Sequence, residues 1–362
     1  MNKTTPASQD AARRGVSRRR FLRGATAAGV AAAVGPFVHT PARAANGKVV
    51  LISWGGNYRK AWEEAFLAPF TKDTGIEVVV ADTPDLAKVK AQVTSGNIEW
   101  DVFDCPGSMA LSGAKEGFWE RLDTGIVDAA DVMVPYGEDY MPYYTYAGGI
   151  AWDPKRFAAG KHPTTFPELW DAAAFPGWRG FRTRISETLD IALLADGVDP
   201  KQLYPLDVER GFAALEKIRP HVKTWIEQTP QTVALVQSGE VDFSYSYSGR
   251  VRAAQRDGTS IEFSWAQTLN ALNYLTVLKG APNRDAAMKL VAYTLDPQRA
   301  AAFSDLLGYT PTVSKALPLV SDETRKWLPD MSNPMNVVMD DLWWQQNFAD
   351  LQKRYSEWLL TA

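Results

Sequence analysis

The sequence predicts an α/β protein of two units. From Lys48 onward, short β-branched runs alternate with stretches whose apolar residues recur at helical spacing. That alternation is the signature of βαβ units feeding a parallel sheet. The chain has 362 residues, 46% of them hydrophobic and 22% charged. This is a globular composition with room for about two domains.

The first segment carries the clearest pattern. Lys48-Val49-Val50-Leu51-Ile52-Ser53 reads as a strand, punctuated by Gly55-Gly56. Trp62, Phe66 and Phe70 place a helix between Tyr58 and Lys72, ended by Gly75. Ile76 to Val80 is a second strand, and Leu86, Val89 and Val93 mark a helix closed by Gly96. Asp101-Val102-Phe103 is a third, short strand. From Tyr136 to Ile150 the pattern breaks into Pro, Tyr and Gly, which reads as a crossing between domains. Helices are expected at Thr165–Ala174, Thr188–Asp196, Asp207–Ile218 and Thr232–Ser238. Strands follow at Val241–Tyr247 and Leu275–Leu278, then helices at Arg284–Leu295, Pro297–Leu307 and Leu342–Leu360. The whole reads as α/β with two sheets.

Composition excludes several chemistries. A single Cys, Cys105, rules out an internal disulfide framework and a multi-Cys metal site, and reads as a buried small apolar residue. Three His make a poly-His metal site unsuited to this chain. No phosphate loop, dinucleotide fingerprint, HExxH, CxxC or GxSxG elbow occurs. His162 and His221 read as surface or cap residues. No catalytic residue, metal or cofactor is expected, and the mild acidity argues against nucleic acid as a partner.

The formal net charge of -3 hides an asymmetry. The first 44 residues hold eight basic side chains and one acid, leaving the remaining 318 with a formal charge of -10. Ser17-Arg18-Arg19-Arg20-Phe21-Leu22-Arg23 matches the twin-arginine export pattern. An uncharged run from Gly24 to Val38 follows, then the small-x-small site Ala42-Arg43-Ala44. Residues 1–44 are therefore expected to be a signal peptide, engaging the twin-arginine translocase and placing the mature chain in the periplasm. No Cys near the cleavage site supplies a lipid anchor.

All 13 Trp and 13 Tyr lie in those 318 residues. Trp62, Trp170 and Trp358 sit on helices and read as core. Trp54, Tyr58, the group Tyr140, Tyr143, Tyr144 and Tyr146, and the pair Tyr245 and Tyr247 fall where the chain should bend or cross. Aromatic faces at strand ends suit a ligand with methylenes and an ammonium, and equally suit sugar stacking.

These segments line up with a family. The chain resembles the bacterial extracellular solute-binding proteins of ABC importers, and within them the spermidine/putrescine-binding branch. The carriers are Ile52-Ser53-Trp54-Gly55-Gly56-Asn57-Tyr58, Phe70 to Val78, Trp100-Asp101-Val102, and Val134-Pro135-Tyr136 leading to Ala147 through Asp153. Further on come Phe166-Pro167-Glu168-Leu169-Trp170, Ser238 to Asp242, Ser248-Gly249-Arg250 and Gly308-Tyr309-Thr310-Pro311-Thr312. The resemblance implies a two-lobed periplasmic-binding-protein fold of type II. It has two mostly parallel sheets flanked by helices, with a hinge and an interlobe cleft. Lobe I would take 46–144 and 274–310, and lobe II 145–273 and 311–362. The implied function is capture of a small amino-containing solute by a monomer and delivery to a permease in the inner membrane.

In the polyamine branch, aromatics sandwich the ligand and carboxylates hold its amines. By this resemblance the first aromatic is Trp54, with Asn57 and Tyr58 nearby and Tyr146 at the crossing. The acid after the Trp is replaced by Gly55-Gly56. Glu187 is retained, but its acidic neighbour is Arg184, with Arg182 alongside. The branch's Trp becomes Tyr247, its acid at the return crossing becomes Asn273, Tyr309 is retained, and Gln345 matches the final polar contact. A buried ammonium needs a paired charge, and Arg suits a carboxylate. The expected ligand is therefore a polyamine-like compound or, better, a zwitterion such as γ-aminobutyrate, an amino acid or an opine. Glu187 would hold its amine and Arg184 or Arg182 its carboxylate. Ferric iron held by Tyr143-Tyr144 or Tyr245/Tyr247, sugar binding, and an exported hydrolase stand as alternatives.

Overall fold

The computed structural model describes residues 47–361; the expected signal peptide lies outside them. β1 (Lys48–Ser53) runs into a turn at Gly56, whose φ of 70° is a left-handed value suited to glycine. α1 (Asn57–Trp62) continues through a π-helical turn, Glu63–Leu67, into α2 (Ala68–Thr74). Trp62, Phe66 and Phe70 are buried along this run, and Gly75 closes it in the left-handed conformation. β2 (Glu77–Asp82) and α3 (Leu86–Ser95) follow, with Asp85 capping α3 through the Ala87 N–H at 2.8 Å. β3 (Val102–Pro106) leads directly into α4 (Gly107–Lys115).

α4 is absent from the sequence reading. Gly107 through Gly113 are all buried, so no polar face marks a helical period. Its glycines take close neighbours: a Cβ at Gly107 would lie 2.1 Å from the Asp341 carboxyl, and one at Gly113 would lie 2.2 Å from the Trp119 ring.

The expected crossing at Tyr136–Ile150 is largely a strand, β4 (Met141–Trp152). Gly148 and Gly149 sit within it rather than breaking it. A Cβ at Gly148 would meet the Tyr245 hydroxyl at 1.9 Å, and one at Gly149 the Phe263 ring at 2.7 Å. These glycines permit close approach across the sheet.

Then come α5 (Phe166–Trp170), shorter than expected and opened by a Thr165/Glu168 capping box, and β5 (Arg179–Arg182). α6 (Ile185–Ala195) starts with a break: Glu187 has φ 73° and ψ -46°. α7 (Val208–Ile218), β6 (Val222–Ile226), α8 (Gln231–Ser238), β7 (Phe243–Tyr247) and α9 (Ser248–Arg256) complete the second half. β8 (Glu262–Phe263) precedes β9 (Leu269–Val277), which is longer than expected. α10 (Arg284–Tyr293), α11 (Pro297–Leu307), β10 (Thr310–Pro311), α12 (Asp322–Arg325), β11 (Val337–Val338) and α13 (Asp341–Leu360) close the chain.

The two sheets expected from the strand pattern are joined edge to edge into one hydrogen-bonded path, β2-β1-β3-β9-β4-β7-β5-β6. β1 pairs in parallel with β2 and β3, and β5 in parallel with β6 and β7. Between these trios, the long strands β9 and β4 run antiparallel to β3 and β7 respectively and to each other. At the centre, Tyr144 of β4 pairs with Asn273 of β9 and Pro311 of β10, so three distant segments run side by side there.

Candidate functional site

The site lies where these central strands meet the ends of β1 and β7. A cavity is lined by Trp54, Tyr58, Tyr144, Tyr146, Tyr247 and Tyr309, together with Arg184, Arg250, Asn273 and Thr229. Each side chain has a positional reason. Trp54 follows β1, and Tyr58 lies in the first turn of α1. Tyr144 and Tyr146 are two residues apart on β4, so alternation brings them to one face, with ring centroids 6.2 Å apart. Tyr247 ends β7, and Arg250 lies in the first turn of the helix that follows. Tyr309 comes directly after the Gly308 cap of α11.

One wall is built around a buried ion pair. Arg184 Nη2 donates to Glu187 Oε1 at 2.6 Å and to the Tyr247 hydroxyl at 3.1 Å. Both Glu187 oxygens are further engaged: Tyr146 donates to Oε1 at 2.5 Å and Tyr247 to Oε2 at 2.8 Å. Burial alone would lower the Arg184 pKa, but the Glu187 charge beside it overrides that and raises it. Burial, and then Glu187, push the Tyr146 and Tyr247 hydroxyls up, so both stay protonated donors. Arg184 also lies 5.5 Å over the Trp54 ring. Its Nε is buried with no hydrogen-bond partner among the described residues.

Glu187 reaches this position through the left-handed backbone at the start of α6, where its N–H is held by Asp190 Oδ2 at 3.0 Å. Such a conformation in a non-glycine residue costs energy and is retained where neighbours fix it.

A second wall rests on Asp104. This fully buried carboxyl accepts from Ser53 Oγ at 2.5 Å, Tyr143 at 2.9 Å and Tyr58 at 3.0 Å, and also from Asn273 Nδ2. Tyr144 donates onward to the Tyr58 hydroxyl at 3.0 Å. Burial pushes Asp104 up to about 6 against the pull of these four donors.

The sequence reading and the structure differ in detail. Trp54, Tyr58, Tyr146, Arg184, Tyr247, Asn273 and Tyr309 line one cavity. Glu187 stands behind it, with both oxygens occupied. Arg182 turns away: its guanidinium donates to the Ile226 and Glu227 carbonyls at 3.1 and 3.0 Å and to Thr229 Oγ1 at 2.9 Å. It thereby pins the loop that brings Thr229 to the cavity. Asn57 reaches Asp257, and Gln345 Nε2 donates to the Leu111 carbonyl; neither lines the cavity. The structure adds Thr229 and Arg250 to the expected ligand-binding residues, and it places Tyr144, expected among the crossing aromatics and as an iron-ligand alternative, in the cavity wall. Arg250 Nη1 donates to the Gly55 carbonyl at 2.9 Å, a contact across 195 positions that no local pattern reveals.

Among the described residues, no group of three or more His, Cys, Asp or Glu could hold a metal ion. No helix among them is long and apolar enough to cross a membrane.

Comparison with known proteins places the chain in a family. Residues 65–329 match the family described as bacterial extracellular solute-binding protein. The chain is 33% identical over 331 residues to the γ-aminobutyric acid-binding protein of Pseudomonas aeruginosa, covering 88% of this chain and 92% of that one. It is similar to the structure of AgtB from Agrobacterium tumefaciens R10 in complex with agropinic acid, with TM-score 0.81 and 29% identity, covering 87% of this chain and 99% of that one. It is also similar to the structure of a γ-aminobutyrate receptor, with TM-score 0.75 and 32% identity over 86% of this chain and 97% of that one. The chain belongs to the bacterial extracellular solute-binding proteins, substrate-capturing components of ABC transporters.

Proposed function

We propose that this protein captures a small amino carboxylate, such as γ-aminobutyrate or an opine, and presents it to an ABC permease from the periplasm after export through the twin-arginine pathway. One observation carries the ligand reading. Two guanidiniums, Arg184 and Arg250, open on a mainly aromatic cavity, with Asn273 and Thr229 its other polar lining and no carboxylate among the lining residues. A diamine would bring two ammonium groups to these guanidiniums, a like-charge encounter in a desolvated space. A ligand carboxylate instead meets donors suited to it. The similarity to proteins named for γ-aminobutyrate and agropinic acid supports the same chemistry. Ferric iron at Tyr143-Tyr144 is disfavoured because both hydroxyls are spent on hydrogen bonds to Tyr58 and Asp104.

The same reading makes the protein a monomer with two lobes, 46–144 with 274–310 and 145–273 with 311–362. The three crossings of that division fall on neighbouring positions, at Tyr144 and Thr145, at Asn273, and at Thr310 and Pro311. A hinge there would close the aromatic walls over the ligand.

Calorimetry with γ-aminobutyrate, agropinic acid and putrescine tests this. Saturable binding of at least one carboxylated ligand, lost in Arg184→Ala, is expected. Tight putrescine binding with none to the carboxylates would sink the reading.

A further inference from the structure

The cavity supplies donors for a carboxylate but no carboxylate for an amine, so the amine end needs a separate account. We infer that Asp104, one layer behind the cavity wall, is the positioning residue that selects the ligand's amine, acting through Asn273 and Tyr58. This rests on the amino-carboxylate reading of the same site.

Donors and acceptors around Asn273 fix how its amide is turned. Asn273 offers one carbonyl oxygen and one NH2 group. Its NH2 is directed at Asp104 Oδ1 and, at 3.5 Å, at the Tyr143 hydroxyl. The carbonyl oxygen has no hydrogen-bond partner among the described residues, and Asn273 lines the cavity. An ionised Asp104 can only accept, so it fixes the amide with its oxygen toward the ligand. A protonated amine there finds an acceptor. Tyr144 and Tyr309 stack on each other and Arg250 lies over Tyr58, so the amide oxygen, not a ring face, is what this wall offers an amine. Asp104 gathers three hydroxyls besides, from Ser53, Tyr58 and Tyr143, so its negative charge stands directly behind this part of the wall.

The other wall is organised oppositely. Tyr144 joins the Asp104 cluster through the Tyr58 hydroxyl, whereas Tyr146 joins the Arg184–Glu187 cluster. Those two rings are 6.2 Å apart on one strand face. The spacing fits a ligand whose amine and carboxylate are separated by a few methylenes rather than sharing one carbon. The selected class is thus an ω-amino carboxylate.

Substituting Asp104→Asn keeps the shape but supplies an NH2 that can donate to the Asn273 oxygen. The Asn273 amide would then turn its own NH2 toward the ligand amine. The test compares γ-aminobutyrate with butyrate, which lacks the amine, by calorimetry on wild type, Asp104→Asn and Asn273→Ala. Wild type should favour γ-aminobutyrate. Both variants should weaken γ-aminobutyrate at least tenfold and change butyrate binding less than threefold. Asn273→Ala keeps the test in force should Asp104→Asn fail to fold. Equal losses for both ligands, or an unchanged preference, would overturn the assignment while leaving the amino-carboxylate reading standing. Absence of γ-aminobutyrate binding to wild type would overturn both.

Discussion

Tyr309 lies flat against Tyr144, with ring centroids 4.7 Å apart and planes 5° from parallel. Tyr309 is held from behind by α9: a Cβ at Gly249 would lie 2.5 Å from its ring and 2.6 Å from the Leu307 carbonyl oxygen. Gly249 is therefore what lets the α11–β10 connection approach α9 closely enough to stack the two rings. Gly249→Ala should force this contact apart. We expect a loss of stability of about 1–3 kcal/mol, the usual range for overpacking, together with ligand affinity weakened about tenfold. Tyr309→Ala should weaken binding comparably without the steric clash. Calorimetry and denaturant titration on both variants separate the two effects. Full affinity in Tyr309→Ala would exclude the stack from the site.

The two cavity arginines differ in what stands behind them. Arg184 is paired with a carboxylate that is only 1% exposed, whereas Arg250 leans on a backbone carbonyl and the Tyr58 ring. Arg184→Ala leaves Glu187 as an uncompensated buried charge, which costs about 3–5 kcal/mol. Arg250→Ala strands no charge. Both should weaken a carboxylated ligand by about 2–3 kcal/mol, roughly 30- to 150-fold. Only Arg184→Ala should lower the ligand-free melting temperature strongly. The double change Arg184→Met with Glu187→Gln should recover much of that stability without recovering affinity. A ligand-free melting temperature for Arg184→Ala equal to wild type would refute the assignment of a structural role to the pair.

How legible all this is in the sequence depends on how local the determinant is. α11 is read to the residue, Pro297–Leu307, because Asp296, Pro297 and Gly308 mark its ends directly. β1 is legible from its β-branched run, and α3 and the run from α1 to α2 from one-sided burial. α4 is not, because burial on all sides erases the period. β4 is not, because Gly148 and Gly149 look like a turn until Tyr245 and Phe263 are seen packed against them. The same division holds at the site. Trp54, Tyr58 and Tyr309 can be picked from their motifs. The separation of Arg184, at the cavity, from Arg182, turned into the loop after β6, depends on three-dimensional hydrogen bonding that spacing does not encode.

Cys105 gives a check on the core rather than the site. It is fully buried in β3, and burial together with Asp104 next to it pushes the thiol up. The thiolate is the reactive form, so the folded protein should show almost no reaction with a thiol reagent near pH 8. Denaturant should release one equivalent, at a rate tracking unfolding. Rapid labelling under native conditions would place β3 in a different packing environment.

Asp341 makes the stability pH-dependent in a direction opposite to that of an ion-paired carboxylate. It opens α13, accepts one hydrogen bond from Tyr274 at 3.0 Å through Oδ2, and has a buried Oδ1 with no partner among the described residues. Burial pushes its pKa up to about 7, whereas an unfolded chain would titrate it near ~4. The folded state therefore holds a proton that the unfolded state has released. Its contribution is fully present below about pH 4 and is lost as pH rises through about 7, at up to about 1.4 kcal/mol per pH unit. Asp104 and Asp190, both pushed up to about 6 by burial, act with the same sign. Carboxylates held low, such as Asp196 beside Lys217 and Arg210, act against them, so the whole-protein profile mixes both. A difference curve isolates Asp341. The stability of Asp341→Asn minus that of wild type, from urea titrations between pH 4 and 8, should rise steadily with pH. A pH-independent difference would show that Asp341 is ionised in the folded protein throughout that range.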